Sequence, residues 1–367
     1  MKQSTPIRVF LVEDSPVALT ILKRILASST EVSVVGTAPN GVEALAQIPT
    51  AQPQVICTDL HMPHMNGLEL TRRLMADYPR PILVISASVN TQEDSRNVFE
   101  LLQAGALDVF PKPTVGSLSD YEQIKQDLIN RIKVLAGVKV FTRHPTRIES
   151  AELTIKSVKP KIGNEAFSPT PARTSQFSPL KIVAIGASTG GPQALHTILK
   201  QLPANFPVPI LCVQHISEGF LLGLVDWLAA ECSLRVTIAQ PGDLPKPGTV
   251  YFAPERKHLQ LDAQGRFLTS STPAVSGHRP SVTVLFQALA TCYPRSTVGI
   301  LLTGMGRDGA DGLKAIASSG GDTIAQNEQT CVVFGMPKEA IALGAAQQVL
   351  PIHEIAPMLL YRVLAMK

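Results

Sequence analysis

The sequence is poor in cysteine, and its five cysteines are scattered along the chain. They are Cys57, Cys212, Cys232, Cys292 and Cys331, and no two form a Cys-x-x-Cys pair. Zinc sites use closely spaced pairs and disulfide frameworks use an even number of cysteines, so neither is predicted. We expect reduced, mostly buried thiols, as in a cytoplasmic protein.

Long apolar runs are also missing, because no stretch of 18 uninterrupted apolar residues occurs among the 367. A transmembrane helix needs about 20 such residues, so direct membrane insertion is not expected. The first apolar run is very short and ends at Glu13 and Asp14, which does not fit a secretory signal peptide. With 45% hydrophobic and 17% charged residues, the composition also excludes a disordered chain.

A marked excess of positive over negative charge occurs in one segment only. Residues 1–117 carry 9 Lys+Arg and 11 Asp+Glu, and residues 180–367 carry 14 and 12. The net charge of +4 arises in residues 118–179, which carry 10 Lys+Arg and 6 Asp+Glu. Neither flanking region is basic, and residues 180–367 contain no helix-turn-helix signal, so nucleic acid is not a predicted partner.

Two regions, residues 6–137 and 180–367, alternate β-rich apolar runs with amphipathic helical stretches. This alternation predicts an α/β fold with two doubly wound domains, each built on a parallel sheet. Residues 138–179 between them are rich in Pro, Ser and Thr, which predicts a flexible linker. The predicted strands are Ile7–Val12, Val32–Thr37, Val55–Thr58, Ile82–Ser86, Asp108–Phe110, Lys181–Ile185, Ile210–Val213, Thr249–Phe252, Val298–Leu302 and Asp322–Ala325.

Charged and hydroxyl side chains follow several strands of the first region. Glu13 and Asp14 come just after the first strand, and Asp59 just after the third, so three carboxylates converge at one sheet edge. A hard cation such as Mg²⁺ would offset their repulsion. Ser86 ends the fourth strand and Lys112 follows the fifth. Together these groups predict phosphoryl transfer to Asp59, with Mg²⁺ and Lys112 neutralising the transferred oxygens.

The second region opens with a strand that runs into Gly186-Ala187-Ser188-Thr189-Gly190-Gly191, and Pro192 then begins a helix. This Gly-x-Ser-x-Gly turn is typical of a nucleophile elbow, which exposes the serine hydroxyl. A phosphate-binding turn is the alternative, although the glycine spacing departs from Gly-x-Gly-x-x-Gly and no acid ends the next strand.

Candidate partners of Ser188 follow neighbouring strands. His215 comes after Ile210–Val213 and Asp308 after Val298–Leu302, so both can meet Ser188 at the carboxyl ends of the strands. This arrangement predicts a triad with His215 as general base and Asp308 orienting its ring. The turn at 304–306 could supply oxyanion N–H groups or serve only as a tight turn. His258 and His278 are candidate rim residues.

Residues 6–137 resemble a response-regulator receiver domain. The matching segments are VEDS at 12–15, DLHMPHMNGLEL at 59–70, VISAS at 84–88 and GALDVFPKP at 105–113. The resemblance implies a flavodoxin-like fold, phosphorylation of Asp59 by a histidine kinase, and Mg²⁺ held by Glu13, Asp14 and Asp59. It also implies that Ser86 is the switch hydroxyl and that Lys112 contacts the phosphate.

Residues 180–362 resemble the catalytic domain of the chemotaxis protein-glutamate methylesterases. The matching segments are IGASTGGPQAL at 185–195, VQHISEGF at 213–220, VYFAPERKHL at 250–259, HRPSVTVLF at 278–286, GILLTGMGRDGADGL at 299–313 and TIAQNEQTCVVFGMPKEAI at 323–341. The resemblance implies a Rossmann-like domain with the triad Ser188, His215 and Asp308. It implies an oxyanion donor at the Met305 backbone, with Thr189 lining the site. Departures from the family pattern include Leu221-Leu222 and Thr283.

The combined resemblance implies hydrolysis of glutamate methyl esters on a methylated chemoreceptor, with deamidation of glutamine as a second reaction. No cofactor is expected for the esterase. The unphosphorylated receiver is expected to cover the active-site mouth, and phosphorylation of Asp59 to relieve this block. Two alternatives stay open: a response regulator whose second domain only binds a ligand or partner, and a hydrolase of small esters.

Overall fold

The computed structural model describes residues 5–86, 92–113, 118–140, 142 and 179–364. They form two α/β domains, each built on a parallel sheet, which confirms the predicted fold class. The linker predicted at 138–179 lies outside the described residues, apart from 138–140, 142 and 179. No helix in the described ranges is long and apolar enough to cross a membrane.

The first domain has a five-stranded sheet in the order β2-β1-β3-β4-β5, and every neighbouring pair is parallel. This is the strand order of flavodoxin-like folds, in which the direction of winding reverses between β1 and β3. The elements are β1 Ile7–Val12, α1 Pro16–Ala27, β2 Val32–Ala38, α2 Gly41–Ala51, β3 Val55–Thr58, α3 Gly67–Asp77, β4 Ile82–Ser86, α4 Gln92–Ala104, β5 Asp108–Pro111 and α5 Leu118–Ala136.

The first sheet buries both of its faces. Val9 and Leu11 of β1 join the hydrophobic cluster that includes α1 and α5, whereas Phe10 and Val12 join the cluster beneath α2, α3 and α4. Successive side chains of a strand point to opposite faces, so an apolar strand such as β1 requires helices on both sides. The continuous apolar sequence of β1 therefore specifies a central, doubly covered strand.

Three helices of the first domain begin at side-chain caps. The Ser15 Oγ accepts the Ala18 N–H at 3.3 Å, and Asn40 Oδ1 accepts the Glu43 N–H at 3.0 Å. Asn66 Oδ1 likewise accepts the Glu69 N–H at 2.9 Å. Each side chain satisfies a helix N–H that has no partner within the helix. These caps fix where α1, α2 and α3 leave the sheet edge that carries the acidic residues.

The second domain has a seven-stranded sheet in the order β14-β13-β12-β6-β7-β9-β8, again parallel throughout. An antiparallel hairpin, β10–β11, lies outside this sheet. The elements are β6 Ile182–Ala187, α6 Gly191–Leu199, β7 Ile210–Gln214, α7 Leu221–Glu231, β8 Arg235–Ile238, β9 Thr249–Phe252, β10 His258–Leu261, β11 Phe267–Ser270, α8 Val282–Cys292, β12 Thr297–Leu301, α9 Ala310–Ser318, β13 Asp322–Gln326, α10 Met336–Ala342, β14 Gln348–Leu350 and α11 Ile352–Leu364.

The direction of winding in the second sheet reverses between β6 and β12, because the chain builds β7, β9 and β8 on one side before it returns to β12. Ligands of doubly wound folds bind at such a switch point, outside the carboxyl ends of the strands. The residues that follow β6, β7 and β12 therefore meet at one place. This region contains Ser188, His215 and Asp308.

A hydrophobic contact joins the two domains. Phe99 of α4 stacks on Trp227 of α7 with ring centroids 5.3 Å apart and planes 12° apart. Both side chains are at least 95% buried, and one continuous apolar cluster includes residues of both domains. Beside them, Gln193 Nε2 of α6 donates to the Ala106 carbonyl at 2.8 Å. The receiver domain is therefore docked on the second domain through α4.

Candidate active site

Ser188 lies at the first position after β6, in a turn fixed by backbone hydrogen bonds. Its N–H donates to the Thr303 carbonyl at 3.0 Å, and its carbonyl accepts the Gly191 N–H at 2.8 Å. The second bond closes the turn that starts α6, and Gly190 accommodates it with φ of 76°. The predicted strand–turn–helix context of the Gly-x-Ser-x-Gly motif is therefore present.

Gly304 allows the turn after β12 to approach Ser188. A Cβ at this position would lie 2.7 Å from the Ser188 Cβ and would also collide with the Met336 sulfur. Real Cβ atoms do not tolerate such contacts, so any other residue would push the two turns apart. The glycine spacing in LTGMG thus sets the distance between the serine turn and the Met305 backbone.

His215 and Asp308 form a hydrogen-bonded pair. His215 Nε2 lies 2.9 Å from Asp308 Oδ2. Ser188 and His215 line one pocket of about 400 Å³, so the structure brings the three predicted residues to one sheet edge. Within the described residues, Ser188 Oγ makes no hydrogen bond to His215, and the buried Nδ1 of His215 has no partner. Catalytic hydrogen bonds are often long in unliganded enzymes and shorten when substrate binds.

Asp308 accepts hydrogen bonds from four further donors. Its Oδ1 accepts from Ser281 Oγ at 2.7 Å, from the Thr283 N–H at 3.1 Å and from the Gly309 N–H at 3.0 Å. Its Oδ2 accepts from the Val282 N–H at 2.7 Å. Burial raises the pKa of Asp308. The hydrogen bond and the charge of His215, together with hydrogen bonds from Ser281 and Thr283, outweigh burial and hold this pKa well below its usual range. Asp308 is therefore a fixed anion.

Gln214, at the end of β7, ties the serine turn to the histidine. Its Nε2 donates to the Ser188 carbonyl and to the His215 carbonyl, both at 2.8 Å. Gly191 leaves room for this side chain, because a Cβ there would collide with the Gln214 amide oxygen. The sequence analysis missed Gln214; its position directly before His215 was the only signal.

The two histidines predicted at the rim differ in position. His258 is fully buried, so its assignment to the rim was wrong. Its Nδ1 accepts the Ser281 N–H at 3.2 Å and its Nε2 donates to the Pro273 carbonyl at 3.1 Å, which holds the loop before α8. His278 lines the pocket and stacks on His215. Nothing in a single sequence distinguishes these two roles.

Backbone N–H groups near Ser188 are available to a substrate oxygen. The N–H groups of Gly304 and Ser188 donate to the carbonyls of Val333 and Thr303 at 3.0 Å each. Among the described residues, the N–H groups of Met305 and Thr189 donate no hydrogen bond. Unpaired donors beside a serine hydroxyl are suited to bind an oxyanion. Met305 and Thr189 both line the pocket.

The receiver residues also converge at the carboxyl ends of their strands. Lys112 Nζ donates to Glu13 Oε1 at 2.9 Å and to Asp59 Oδ2 at 2.7 Å. Burial lowers the pKa of Lys112, but the carboxylates of Asp59 and Glu13 outweigh it and raise the pKa above its usual value. Ser86, buried at the end of β4, accepts the Lys112 N–H through its carbonyl at 2.7 Å.

Glu13, Asp14 and Asp59 could hold a divalent cation. One oxygen from each lies within 4.8 Å of the others. Glu13 Oε2 is buried without a hydrogen-bond partner in the described part of the chain, and burial raises the pKa of Glu13. An all-oxygen set with one exposed side suits Mg²⁺, which keeps several waters. The donor set therefore fits the metal that the resemblance implied.

The docked receiver forms one wall of the Ser188 pocket. The pocket is lined on this side by α5 residues Gln123, Asp127, Asn130, Arg131 and Val134. Asp108 Oδ2 accepts from Arg131 Nη1 at 2.5 Å and from Thr189 Oγ1 at 3.3 Å. Arg131 Nη2 also donates to Ser217 Oγ at 3.4 Å. Asp108 thus links the receiver to Thr189, the residue next to Ser188.

The fold and the two sites define a response regulator whose second domain carries a serine, a histidine and an aspartate at one strand edge. Residues 9–120 match the family model for the response regulator receiver domain, and residues 183–359 match that for CheB methylesterase.

Curated relatives align over nearly the whole chain. The protein-glutamate methylesterase/protein-glutamine glutaminase 1 of Syntrophus aciditrophicus is 42% identical over 356 residues, covering 96% of this chain and 97% of that protein. The protein of the same name from Nitrosospira multiformis, without a number, is 41% identical over 350 residues, covering 95% of both. The crystal structure of the Thermotoga maritima CheB methylesterase catalytic domain has 42% sequence identity and a TM-score of 0.49, covering 50% of this chain and 99% of that one.

The chain belongs to the family of protein-glutamate methylesterases/protein-glutamine glutaminases. This membership favours catalysis over a second domain that only binds a ligand.

Proposed function

We propose that this protein is a phosphorylation-regulated serine esterase that hydrolyses glutamate methyl esters on a chemoreceptor. The observation that carries the proposal is the His215–Asp308 pair, with Nε2 2.9 Å from Oδ2, beside Ser188 in the same pocket. A histidine held by a buried carboxylate is suited to remove a proton from a neighbouring hydroxyl. The names of the curated relatives support this substrate class.

Ser188 is the nucleophile and His215 the general base. Ser188 Oγ attacks the ester carbonyl carbon while His215 Nδ1, which has no other hydrogen-bond partner among the described residues, accepts the hydroxyl proton. The bond to the methoxy group then breaks, and methanol leaves with that proton. Water then attacks the acyl carbon and gives a proton to His215, which passes it to Ser188 Oγ as the bond between that oxygen and the acyl carbon breaks. The glutamic acid product loses its remaining proton to solvent, and Ser188 and neutral His215 are restored.

The transition states carry negative charge on the former carbonyl oxygen. The N–H groups of Met305 and Thr189 would stabilise it, since neither donates a hydrogen bond elsewhere in the described structure. Asp308 stabilises the imidazolium that His215 becomes, because it remains an anion throughout. The same groups suit deamidation of glutamine, in which ammonia leaves in place of methanol. The esterase site needs no cofactor for either reaction.

Regulation rests on the receiver, whose phosphodonor is a histidine kinase. Asp59 is the phosphorylated residue, and Glu13, Asp14 and Asp59 would hold Mg²⁺, which offsets phosphate charge when bound. Lys112, already 2.7 Å from Asp59 Oδ2, would contact the phosphate, and Ser86 would supply the switch hydroxyl. The new phosphate must draw Lys112 and the strand-end loops towards it, which alters the face formed by α4, β5 and α5.

Docking of that face accounts for inhibition of the unphosphorylated enzyme. The α5 residues that line the pocket narrow access to Ser188, and the Asp108 carboxylate accepts a hydrogen bond from the Thr189 hydroxyl. A change at α4 or β5 weakens the Phe99–Trp227 stack and the Asp108 contact together, so the receiver can release the mouth.

Fluorophosphonate labelling tests the catalytic assignment. We expect the full chain with a phosphodonor to be labelled once, the label to be lost in Ser188→Ala, and labelling to slow in His215→Ala by about 10³-fold or more. Methanol release from the methylated receptor should fall in parallel. Release from small esters alone would instead favour the general hydrolase.

The matched control is Ser319→Ala, because Ser319 lies at a helix end of the same domain and its hydroxyl donates to the Ile316 carbonyl. It should label like wild type. Absence of labelling in the wild-type protein would overturn the proposed function.

A further inference from the structure

The His278 ring lies flat against the His215 ring. Their centroids are 3.7 Å apart and their planes differ by 8°. Asp308 bonds one edge of the His215 ring through Nε2 and thereby fixes a point on that edge. One hydrogen bond leaves the ring free to rotate about the bond axis. A second ring in parallel contact removes this freedom, because rotation would drive the two faces into each other.

The loop that carries His278 is itself held in place. Val275 and His278 exchange two backbone hydrogen bonds, His278 N–H to Val275 carbonyl at 3.0 Å and Val275 N–H to His278 carbonyl at 3.1 Å. The two residues between them have positive φ, 53° at Ser276 and 82° at Gly277. This is the geometry of a tight type I′ turn. His278 is therefore presented to His215 from a closed turn.

A second anchor follows immediately. Arg279 Nη1 donates to the Ser271 carbonyl at 2.8 Å, and Ser281, two residues further, donates its hydroxyl to Asp308 at 2.7 Å. The segment that stacks on His215 is thus continuous with the segment that binds the partner of His215. Any movement of this loop would shift both contacts together.

We propose that His278 is a positioning residue for the esterase reaction: its ring holds the plane of His215 so that Nδ1 faces the serine hydroxyl. This inference rests on the proposed function, because it assigns His278 a role in the action of the Ser188–His215–Asp308 set. The observation that carries it is the parallel contact at 3.7 Å between two rings lining one pocket.

Charge around His278 fits this role. Burial, and after it the charge of His215, lowers the pKa of His278 to about 4. Arg131, which belongs to the docked receiver, lowers this pKa further, and the Asp308 carboxylate opposes the shift. His278 is consequently neutral at neutral pH. A neutral ring does not oppose the positive charge that His215 acquires on accepting the serine proton, whereas a second imidazolium would.

The test uses the full chain with a phosphodonor and three variants of His278. His278→Ala removes the ring, His278→Phe keeps a flat ring of similar size, and His278→Leu keeps volume without flatness. The readouts are the second-order rate of fluorophosphonate labelling at Ser188, and kcat and KM for methanol release. His353→Ala, an exposed histidine of α11 outside the pocket, is the control.

We expect His278→Ala to slow labelling and to lower kcat by about 10- to 100-fold, because a misplaced base loses near-attack geometry. KM should change by less than about twofold, since ground-state binding is untouched. His278→Phe should recover most of the loss and His278→Leu little of it. If His278→Ala does not fold, the contrast between Phe and Leu carries the same test.

Three results would overturn the inference: wild-type rates in His278→Ala, an effect on KM alone, or equal losses in the Phe and Ala variants. The first would leave the stack without function, the second would make His278 a substrate contact, and the third would assign the role to its nitrogens. A wild-type protein that does not label would instead remove the proposed function itself.

Discussion

The two domains place their reactive groups at the same point of the fold and surround them in opposite ways. In the receiver, Asp59 follows β3 next to the reversal of strand order, and Lys112 bonds it directly at 2.7 Å. In the second domain, Ser188 follows β6 next to the equivalent reversal, and the carboxylate of Asp308 bonds the His215 ring at 2.9 Å and not the serine. The sheet edge fixes where chemistry occurs, and the nucleophile decides what must surround it.

A carboxylate and a hydroxyl have different needs. The carboxylate is already a nucleophile, so its neighbours must offset charge, and Lys112 with a three-carboxylate cation site can do so. The hydroxyl must lose a proton, so its neighbour must be a neutral base with a fixed anion beyond it. Neutral His278 extends this arrangement, because it adds contact without adding charge.

The largest effect should follow from removing the anion of the second site. Asp308→Asn is expected to lower kcat for methanol release by about 10³- to 10⁴-fold, because nothing then stabilises the imidazolium. The amide can no longer accept from every donor that now surrounds Asp308, so the free energy of unfolding should also fall by about 1–3 kcal/mol. Steady-state kinetics and urea unfolding measure the two effects.

Asp311→Asn is the matched control, since Asp311 is an exposed acid three residues away that pairs with Arg307. It should keep kcat within about twofold of wild type, as for an ordinary surface change. Activity in Asp308→Asn equal to that of the control would break the comparison, because the anion would then be dispensable.

An intermediate effect should follow from removing the carboxylate of the receiver. With a phosphodonor and Mg²⁺, wild-type protein should increase methanol release by about tenfold, a typical coupling between two sites. Asp59→Asn should keep basal activity and show no increase. Trp227 is the chain's single tryptophan and is buried at the domain contact, so its emission should shift to longer wavelength in wild type only.

Asp77→Asn, an exposed acid at the end of α3, controls for loss of a receiver carboxylate. It should respond to the phosphodonor as wild type does. Stimulation that persists in Asp59→Asn would mean that the phosphate attaches elsewhere, and the receiver site would lose its assigned nucleophile.

The smallest effect concerns pH. The pKa of His278 is lowered to about 4 in the folded protein. Between about pH 6.5 and 4 this histidine therefore binds a proton in the unfolded chain and not in the folded one. Stability should fall as pH falls through this window, by at most about 1.4 kcal/mol per pH unit, and this contribution should vanish in His278→Phe.

Urea unfolding of both proteins at pH 7 and pH 5 measures that difference, with His353→Ala as an exposed-histidine control. Parallel pH dependence in wild type and His278→Phe would show that the second site tolerates another positive charge. The second site would then no longer differ from the receiver site, where Lys112 contacts two carboxylates directly.

Much of both sites could be predicted because strand ends are local features of sequence. Apolar β-rich runs located β1, β3, β6 and β7, and Glu13, Asp59, Ser188 and His215 come directly after these four strands. Ser188 and His215 lie 27 positions apart but one strand apart in space, which parallel topology alone implies.

What was missed depends on contacts between distant segments. Ser281 reaches the site from the loop before α8, and no local periodicity reports on it. His278 was predicted at the rim, but its contact with the His215 ring was not. The short strands β8 and β14 were also missed, because each is three or four residues long and partly exposed, so the apolar pattern is weak. His258 was assigned to the rim because burial of a polar ring depends on partners, Ser281 and Pro273, that the sequence does not pair.

The α5 wall of the pocket has a thermodynamic consequence. Arg131 and its neighbours on α5 border the same space as Ser188 and Thr189, so a substrate that fills the pocket must displace them. Two occupants that exclude each other are linked, and linkage acts in both directions. A change that weakens docking of the receiver domain raises the affinity for substrate. Bound substrate must in turn favour the undocked receiver by the same factor. A high local concentration of substrate would thus hold the enzyme open and also raise the fraction of receiver domains that stay phosphorylated.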